Sequence, residues 1–235
     1  LLMVDAVSSL GAVDYRHDEW GVDVTVAGSQ KGLMLPPGLG FNAISQQALS
    51  AAQEARLPRS YWDWGPLVGD AERGFFPYTP ATNLLFGLDE ALKMLLEEGL
   101  DQVFARHLRF AHATRSAVTT WNIEVYCRDE EAHSPTLTAV LMPQGHDADQ
   151  LRKMILERFD LSLGTGLGPL QGQLFRIGHL GSINDLMLCG TLSGVEMGLD
   201  LAGVPHKKGG VQAALNMLAV TSCHRKENTE PRLRP

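Results

Sequence analysis

The sequence predicts an α/β fold in its first hundred residues, followed by a smaller α+β domain. Two short apolar runs, at residues 1–7 and 21–27, have the composition of buried strands, and the second is rich in β-branched side chains. Helical periodicity follows them, as expected of strands that alternate with helices around a sheet buried on both faces. Later the pattern changes to few strands among many helices. We therefore predict a large domain with a mainly parallel sheet at residues 1–99, and a small domain at residues 100–223.

The other elements of the first domain follow from turn and cap signals. A third short strand is predicted at residues 38–44 and a helix at residues 45–56. Residues 57–78 are dense in Pro, Gly and aromatic residues, which predicts a structured loop. The next helix is expected to start with Thr79 as its N-cap and Pro80 at its first position. One face of this helix is apolar and a glycine ends it, the residues being Leu84, Leu85, Leu88, Leu92, Leu95, Leu96 and Gly99.

The second domain is predicted to contain few strands and several helices. Its elements are, in order, a helix at residues 100–118, strands at 121–127 and 137–142, a helix at 147–159, two short strands within 161–178, and helices at 183–202 and 210–223. The tail, residues 224–235, is charged and contains proline, so we expect it to be disordered.

Charge and composition exclude several classes of function. The formal net charge is −7, which argues against a nucleic-acid partner, because binding a phosphate backbone needs clustered Lys and Arg. No stretch approaches the roughly 18 consecutive apolar residues of a membrane span. The three cysteines, Cys127, Cys189 and Cys223, are dispersed and the histidines lack ligand spacing, so neither a disulfide framework nor a metal site is predicted. We expect a cytoplasmic protein that binds neither nucleic acid nor membrane.

The first residues, LLMVD, have no basic region and no small-residue cleavage site, so they do not form a secretory signal. Their composition is that of a buried strand. We expect residues 1–5 to be such a strand, lying in the interior of a longer protein.

Two charged residues, Asp5 and Lys31, follow the first two predicted strands. In α/β proteins the ends of neighbouring strands meet at one edge of the sheet, where ligands bind. A lysine in a turn of small residues after a buried strand can be partly desolvated, which lowers its pKa and leaves a neutral amine as nucleophile. On spacing alone two other interpretations stay open, since Lys31 suits a solvated loop and Asp5 can cap a turn through Ser8 or Ser9.

Four segments carry a more specific resemblance. They are residues 5–11 (DAVSSLG), 20–39 (WGVDVTVAGSQKGLMLPPGL), 78–85 (YTPATNLL) and 175–181 (FRIGHLG). In this order they resemble the class V pyridoxal-phosphate aminotransferases, and most closely those that use serine or alanine with glyoxylate. The resemblance implies fold type I, with residues 1–99 as the C-terminal part of the cofactor-binding domain. The family's upstream part, with its glycine-rich phosphate turn and ring-stacking aromatic, has no counterpart here.

The resemblance also implies roles for the residues around Lys31. Lys31 would hold pyridoxal 5'-phosphate as a Schiff base and then move the substrate's α-proton. Asp5 would pair with the pyridine nitrogen, Val7 would pack on the cofactor ring, and Gln30 would contact the cofactor phosphate. Val7 is equally well an ordinary strand-core residue. Gln30 argues against desulfuration, because cysteine desulfurases typically carry histidine at this place.

Three further residues are assigned by the same resemblance. Tyr78 and Thr79 would reach the cofactor phosphate of a neighbouring subunit, which implies a homodimer; Thr79 can also simply cap its helix. Arg176 would bind the substrate α-carboxylate through two parallel hydrogen bonds, the alternative being an internal salt bridge. His179, three residues further along the strand, is interpreted as structural.

The implied reaction is transamination of serine, or alanine, with glyoxylate, giving glycine and hydroxypyruvate, or pyruvate. Two alternatives stay open. A lyase or epimerase would use the same Asp, Lys and sheet, so the fold does not exclude either. The chain alone could also be a catalytically silent fragment that serves only in interaction or dimerisation.

Overall fold

The computed structural model describes residues 1–220, and its first compact unit contains a three-stranded sheet. This unit consists of Leu1–His107 together with Leu180–Ser182. Its strands are β1 (Met3–Asp5), β2 (Val24–Gly28) and β3 (Gly40–Ile44), in the order β1-β2-β3. β1 and β2 are parallel and β2 and β3 antiparallel, so of the two pairings described one is of the predicted parallel kind. The carboxyl ends of β1 and β2 therefore lie at the same edge of the sheet.

The first strand is present as predicted, but the prediction that it is buried is wrong. Leu1 and Met3 are 71% and 67% exposed, whereas Val24 in β2 is almost fully buried. In the described part of the chain β1 pairs with β2 alone, at the edge of the sheet. An apolar composition shows which surroundings a strand favours, but within the described residues no element covers this one.

The loop predicted at residues 57–78 contains a helix. α1 (Gln46–Glu54) starts as predicted, with the Ser45 hydroxyl accepting a hydrogen bond from the Ala48 N–H at 3.0 Å. The unpredicted helix, α2 (Trp64–Ala71), begins after Asp63, whose carboxylate accepts from the Gly65 N–H. Its proline lies in the first turn, where no backbone N–H is required, so the residue that signals a loop is compatible with a helix here.

The third helix, α3 (Thr82–Glu98), starts later than predicted. The N–H groups of Leu84 and Leu85 both donate to the Ala81 carbonyl, and Ala81 provides no side-chain cap. Thr79 therefore lies two residues before the cap, and its prediction as N-cap is wrong. The predicted end at Gly99 is confirmed, with a φ of 86°.

A small apolar cluster links α3 to the start of α4 (Leu100–Thr120) within this unit. Leu33, Leu95 and Val103 are its buried members. Much of the leucine face of α3 lies outside this cluster, and Leu96 remains exposed. The predicted leucines do recur at helical spacing on α3, but only part of the apolar face that they form is covered by other residues.

The second compact unit consists, among the described residues, of Leu108–His179 and residues 183–220. Its sheet is antiparallel in the order β4-β5-β7-β6. Its strands and its remaining helices are β4 (Glu124–Val125), β5 (Leu137–Leu141), α5 (Ala148–Phe159), β6 (Gly164–Thr165), β7 (Leu174–Gly178), α6 (Asp185–Leu201) and α7 (Gly210–Val220). The helices and strands lie where they were predicted, although β4 is much shorter than the predicted strand at residues 121–127.

The core of the second unit explains why β4 is short. Trp121, predicted to begin the strand, is instead fully buried among helices α4, α6 and α7. Its Nε1–H donates to Glu196 at 2.9 Å, and its carbonyl accepts from the Lys207 N–H. Trp121 therefore anchors the helices of this unit and takes no part in the sheet.

The division between the compact units falls inside α4, after His107. The predicted domains, residues 1–99 and 100–223, remain predictions. The tail at residues 224–235 and the end of the last predicted helix lie outside the described residues. Within residues 1–220, no helix is both long and apolar enough to cross a membrane.

Candidate functional site

Asp5 and Lys31 both follow strands whose ends lie at one edge of the first sheet. Asp5 is the last residue of β1, and its Oδ1 accepts a hydrogen bond from the Val7 N–H at 2.8 Å. Lys31 lies in the turn after β2, which ends at Gly28. Because β1 and β2 are adjacent and parallel, the predicted placement of both charges at the same edge is correct.

The turn that carries Lys31 packs tightly against the turn after β1. A Cβ atom added at Gly32 would lie 2.2 Å from the Leu10 carbonyl oxygen and 2.9 Å from the Gly11 carbonyl carbon. Only glycine fits at residue 32, because the backbones of the two turns approach each other closely there. Lys31 is half-buried, and its ammonium group makes no hydrogen bond or ion pair with residues 1–220.

Ser29 is a site residue that the sequence analysis missed. It is fully buried, its hydroxyl donates to the Pro36 carbonyl at 2.8 Å, and the Leu39 N–H donates to that hydroxyl at 3.2 Å. Its own carbonyl accepts from the Leu35 N–H. These bonds fix both ends of the loop after Lys31. The signal was a small polar residue beside a Pro-Pro-Gly segment, because prolines cannot donate and their loop needs donors from elsewhere.

Val7 and Gln30 lie next to the two charges. Val7 is half-buried, and its N–H fixes the Asp5 carboxylate. Gln30 is exposed and folds back over Gly28, since a Cβ at Gly28 would lie 2.8 Å from its Oε1. Glycine at position 28 therefore leaves room for the amide of Gln30 beside the lysine. Their predicted contacts with cofactor stay predictions.

Tyr78 and Thr79 lie in the irregular segment before α3, and both are exposed. The Tyr78 ring packs on Tyr61, with ring centroids 4.9 Å apart. Because Ala81 rather than Thr79 starts the helix, the Thr79 hydroxyl is not used in capping. Their predicted contact with a neighbouring subunit stays a prediction.

Arg176 lies in the middle of β7, in the second unit. Its Nε donates to the Thr165 carbonyl at 2.7 Å, and Gly164 opposite it leaves room for the guanidinium. Within residues 1–220 it has no carboxylate partner, so the alternative of an internal salt bridge is not seen in the described part of the chain. The two terminal nitrogens remain for a ligand carboxylate.

His179 has the structural role expected of it. It is fully buried, with Nε2 2.9 Å from the Thr138 hydroxyl and Nδ1 3.0 Å from the Pro135 carbonyl. No group of three or more potential metal ligands occurs within residues 1–220. Cys127 and Cys189 are free thiols, and Cys223 lies outside the described residues.

Each unit thus offers a distinct chemical capability. In the first unit an unpaired amine can react with a carbonyl group, and a neighbouring carboxylate can pair with a cationic nitrogen. In the second unit the guanidinium of Arg176 can take up a carboxylate in planar geometry.

The chain resembles known aminotransferases along most of its length. The family described as Aminotransferase class-V matches residues 1–168. Serine–glyoxylate aminotransferase of Methylorubrum extorquens is 47% identical over 224 residues, which cover 93% of this chain and 56% of that protein. L-aspartate–glyoxylate aminotransferase of Paracoccus denitrificans is 44% identical over 215 residues, covering 91% and 54%. The chain spans about half the length of the curated relatives it matches.

A solved structure supports the fold. Pyridoxamine–pyruvate aminotransferase of Mesorhizobium loti superposes with a TM-score of 0.85 at 34% sequence identity. The match covers 93% of this chain and 57% of that one. Both compact units therefore have a counterpart in a single known enzyme.

Proposed function

Because the chain belongs to the class V aminotransferase family, we propose that its protein transfers the amino group of serine, or alanine, to glyoxylate with pyridoxal 5'-phosphate as cofactor. The products would be glycine and hydroxypyruvate, or pyruvate. The fold is that of the fold type I pyridoxal-phosphate enzymes, as predicted. The observation that carries the proposal is the unpaired Lys31 amine at the same sheet edge as Asp5.

The residues present fit this cofactor. Lys31 Nζ has no hydrogen-bond or ion-pair partner among the described residues, so its amine is available to the cofactor aldehyde. Asp5 uses one oxygen on the Val7 N–H and keeps the other for the ring nitrogen. Val7, Gln30, Tyr78 and Thr79 would line the ring and the phosphate. When bound, the cofactor supplies an electron sink for the negative charge left when the α-proton departs.

The chain's own residues would then perform two tasks. Lys31 Nζ takes the α-proton of the amino substrate, which requires the amine in its neutral form. Arg176 orients the substrate by binding its α-carboxylate through two parallel hydrogen bonds. The carbonyl of Thr165 helps orient the Arg176 guanidinium by accepting from Nε.

The test compares two lysine variants of the full protein. Lys31→Ala is expected to lose the visible absorbance of the bound cofactor, and to lower turnover by about 10²–10⁴-fold because the proton carrier is gone. Lys153→Ala is the control, since Lys153 is a solvent-exposed residue of α5. Borohydride reduction followed by peptide mapping should place the label on Lys31. A label on another lysine would overturn the assignment.

The amino donor is tested separately. Serine and aspartate both appear as donors in the names of relatives at 44–47% identity. We propose serine or alanine, so serine should yield hydroxypyruvate faster than aspartate yields oxaloacetate. Faster turnover of aspartate would refute the donor while leaving transamination intact. Elimination or racemisation without amino transfer would instead favour the lyase or epimerase alternative.

A second candidate function concerns the 235 residues taken alone. Because they span about half the length of the relatives, the second candidate is a chain that does not catalyse the reaction by itself. Assaying this chain with pyridoxal phosphate, serine and glyoxylate decides the matter, since normal turnover would refute it.

We propose a homodimer and a cytoplasmic location. The exposed Tyr78 and Thr79 support the first, and the dispersed cysteines support the second.

A further inference from the structure

Gly181 is held at both of its backbone groups by consecutive residues of α4. Its N–H donates to Nε2 of His107 at 3.0 Å, and its carbonyl accepts from Nη1 of Arg106 at 2.8 Å. All three residues belong to the first unit, since Leu180–Ser182 form part of it. A glycine with a φ of 83° is thus fixed in a conformation that other residues rarely adopt.

The hydrogen bonds of His107 define its proton arrangement. Nδ1 lies 2.7 Å from the Val103 carbonyl, which can only accept, so Nδ1 carries the proton. Nε2 is then a free acceptor for the Gly181 N–H. The ring is fully buried, and burial lowers the pKa of His107 below its ordinary value. The neutral form that this bond requires is the form that burial favours.

Arg106 is oriented by Glu98, the last residue of α3. The guanidinium binds both carboxylate oxygens, through Nε at 2.6 Å and Nη2 at 2.9 Å. This bidentate pair leaves Nη1 directed to Gly181. The end of α3, the middle of α4 and Gly181 are therefore joined by one set of hydrogen bonds.

Gly181 faces the turn that carries Lys31 across a space that a methyl group would fill. A Cβ atom on Gly181 would be in ordinary van der Waals contact there, 3.7 Å from the Lys31 carbonyl oxygen and 3.7 Å from Cγ of Met34. That same carbonyl accepts the Met34 N–H at 2.9 Å, and Met34 has a φ of 62°, unusual for a residue other than glycine. A turn with an unusual backbone conformation thus lies beside a backbone segment that α4 holds in place.

We propose that His107 and Arg106 are positioning residues for Lys31, acting through Gly181. In this role they act on the backbone and need no contact with substrate or cofactor. By fixing Gly181 beside the turn, they help to keep the Lys31 backbone in the conformation that it has at the sheet edge. The effect of these two residues on catalysis rests on the function proposed above, whereas their effect on the structure of the Lys31 turn does not.

The test measures amide hydrogen exchange in the full chain without cofactor. His107→Leu removes the acceptor for Gly181. We expect exchange to rise by about tenfold at the protected Met34 and Leu35 amides, the ratio that the loss of one buried hydrogen bond implies. His107→Gln should restore protection, because its amide oxygen can replace Nε2 as acceptor.

The matched control is His206→Leu. His206 is also a buried histidine, but it lies in the second unit and bonds to the Val204 carbonyl. A general loss of stability would raise exchange at Met34 and Leu35 in both leucine variants. Equal rises, or no rise in His107→Leu, would overturn the proposal.

Two additions keep the test decisive. If His107→Leu does not fold, Arg106→Gln removes the second hydrogen bond to Gly181 at a partly exposed position, and the same local rise is expected. With substrates, His107→Leu should lower kcat while leaving KM for glyoxylate nearly unchanged. If the wild-type protein shows no transamination, the proposed function fails, but the exchange result still decides whether Gly181 is the link to Lys31.

Discussion

At the scale of single residues, the candidate site depends on atoms with no reactive chemistry. Lys31 is placed by the absence of a side chain at Gly32 and by the buried hydroxyl of Ser29. Asp5 is placed by the N–H of Val7. Lysine and aspartate can be recognised in the sequence as candidate reactive residues because of their side-chain chemistry. The residues that position them, Gly32 and Ser29, cannot be recognised in this way, since glycine and serine are equally common in flexible loops that position nothing.

Gly32→Ala tests this placement. Its Cβ would overlap the Leu10 carbonyl, and relieving the overlap should cost about 1–3 kcal/mol of unfolding free energy and lower cofactor binding. Urea denaturation and cofactor absorbance measure the two effects. Gly69→Ala in α2 is the control, because its Cβ would meet no atom within 4 Å. Unchanged stability and binding in Gly32→Ala would contradict the description of the turn.

His107 gives the first unit a pH dependence of known sign. Its folded pKa lies below the ordinary 6.5 because it is buried, while Glu98 opposes this shift and Arg106 adds to it. The unfolded chain therefore takes up a proton at a higher pH than the folded chain. The contribution of neutral His107 to the free energy of unfolding is fully present above pH 6.5. It declines as the pH falls below 6.5, and the decline ends below the lowered pKa. His107→Gln should flatten this decline in urea titrations between pH 7 and 5; an unchanged slope would contradict it.

At the scale of elements, positions are easier to predict than burial. The periodicity of α3, α5 and α6 is visible in the sequence, and these helices lie close to their predicted ranges. α2 was missed because Pro66 is a loop signal that a first helical turn tolerates. The prediction that β1 is buried was wrong because burial depends on which elements cover a strand. Those elements are brought to the strand by contacts between residues distant in sequence.

The N-terminus of α7 offers a prediction at this scale. Glu196 accepts hydrogen bonds from the N–H groups of Gly209 and Val211, at 2.7 and 2.9 Å, and from Trp121. Burial raises the pKa of Glu196, but these donors outweigh it and the pKa lies below its ordinary value. The stabilisation is present above the ordinary pKa of a glutamate and is lost as the pH falls through the lowered one.

Glu196→Gln should destabilise the protein by about 1–3 kcal/mol, because an amide replaces an acceptor that three donors share. Glu157→Gln on α5 is the control, since Glu157 is exposed and its ion pair with Lys153 is long, at 3.8 Å. Denaturant unfolding at neutral pH measures both. Equal midpoints for the two variants would show that Glu196 does not hold α7.

At the scale of the whole molecule, the first unit exposes much apolar surface. Trp62 and Phe86 are 84% and 77% exposed, and further aromatics lie between them in the chain. Monomeric proteins rarely leave large apolar patches uncovered. The proposed homodimer would cover such a surface and bring Tyr78 and Thr79 to a neighbouring cofactor.

Phe86→Glu tests the dimer. A charge on this face of α3 should shift the protein towards monomer in sedimentation experiments and weaken cofactor binding at the same time. Leu156→Glu places the same charge on an exposed position of α5 in the second unit and should change neither. A monomeric wild-type protein that binds cofactor tightly would contradict the prediction.

Arg176 has a consequence for the conditions in which the protein works. Its guanidinium is held by one backbone carbonyl and lacks an internal counter-ion among the described residues. In the role proposed for Arg176, chloride, sulfate or inorganic phosphate would compete with the substrate carboxylate for the guanidinium. The apparent affinity for the proposed amino-acid and oxo-acid substrates should consequently fall as ionic strength rises.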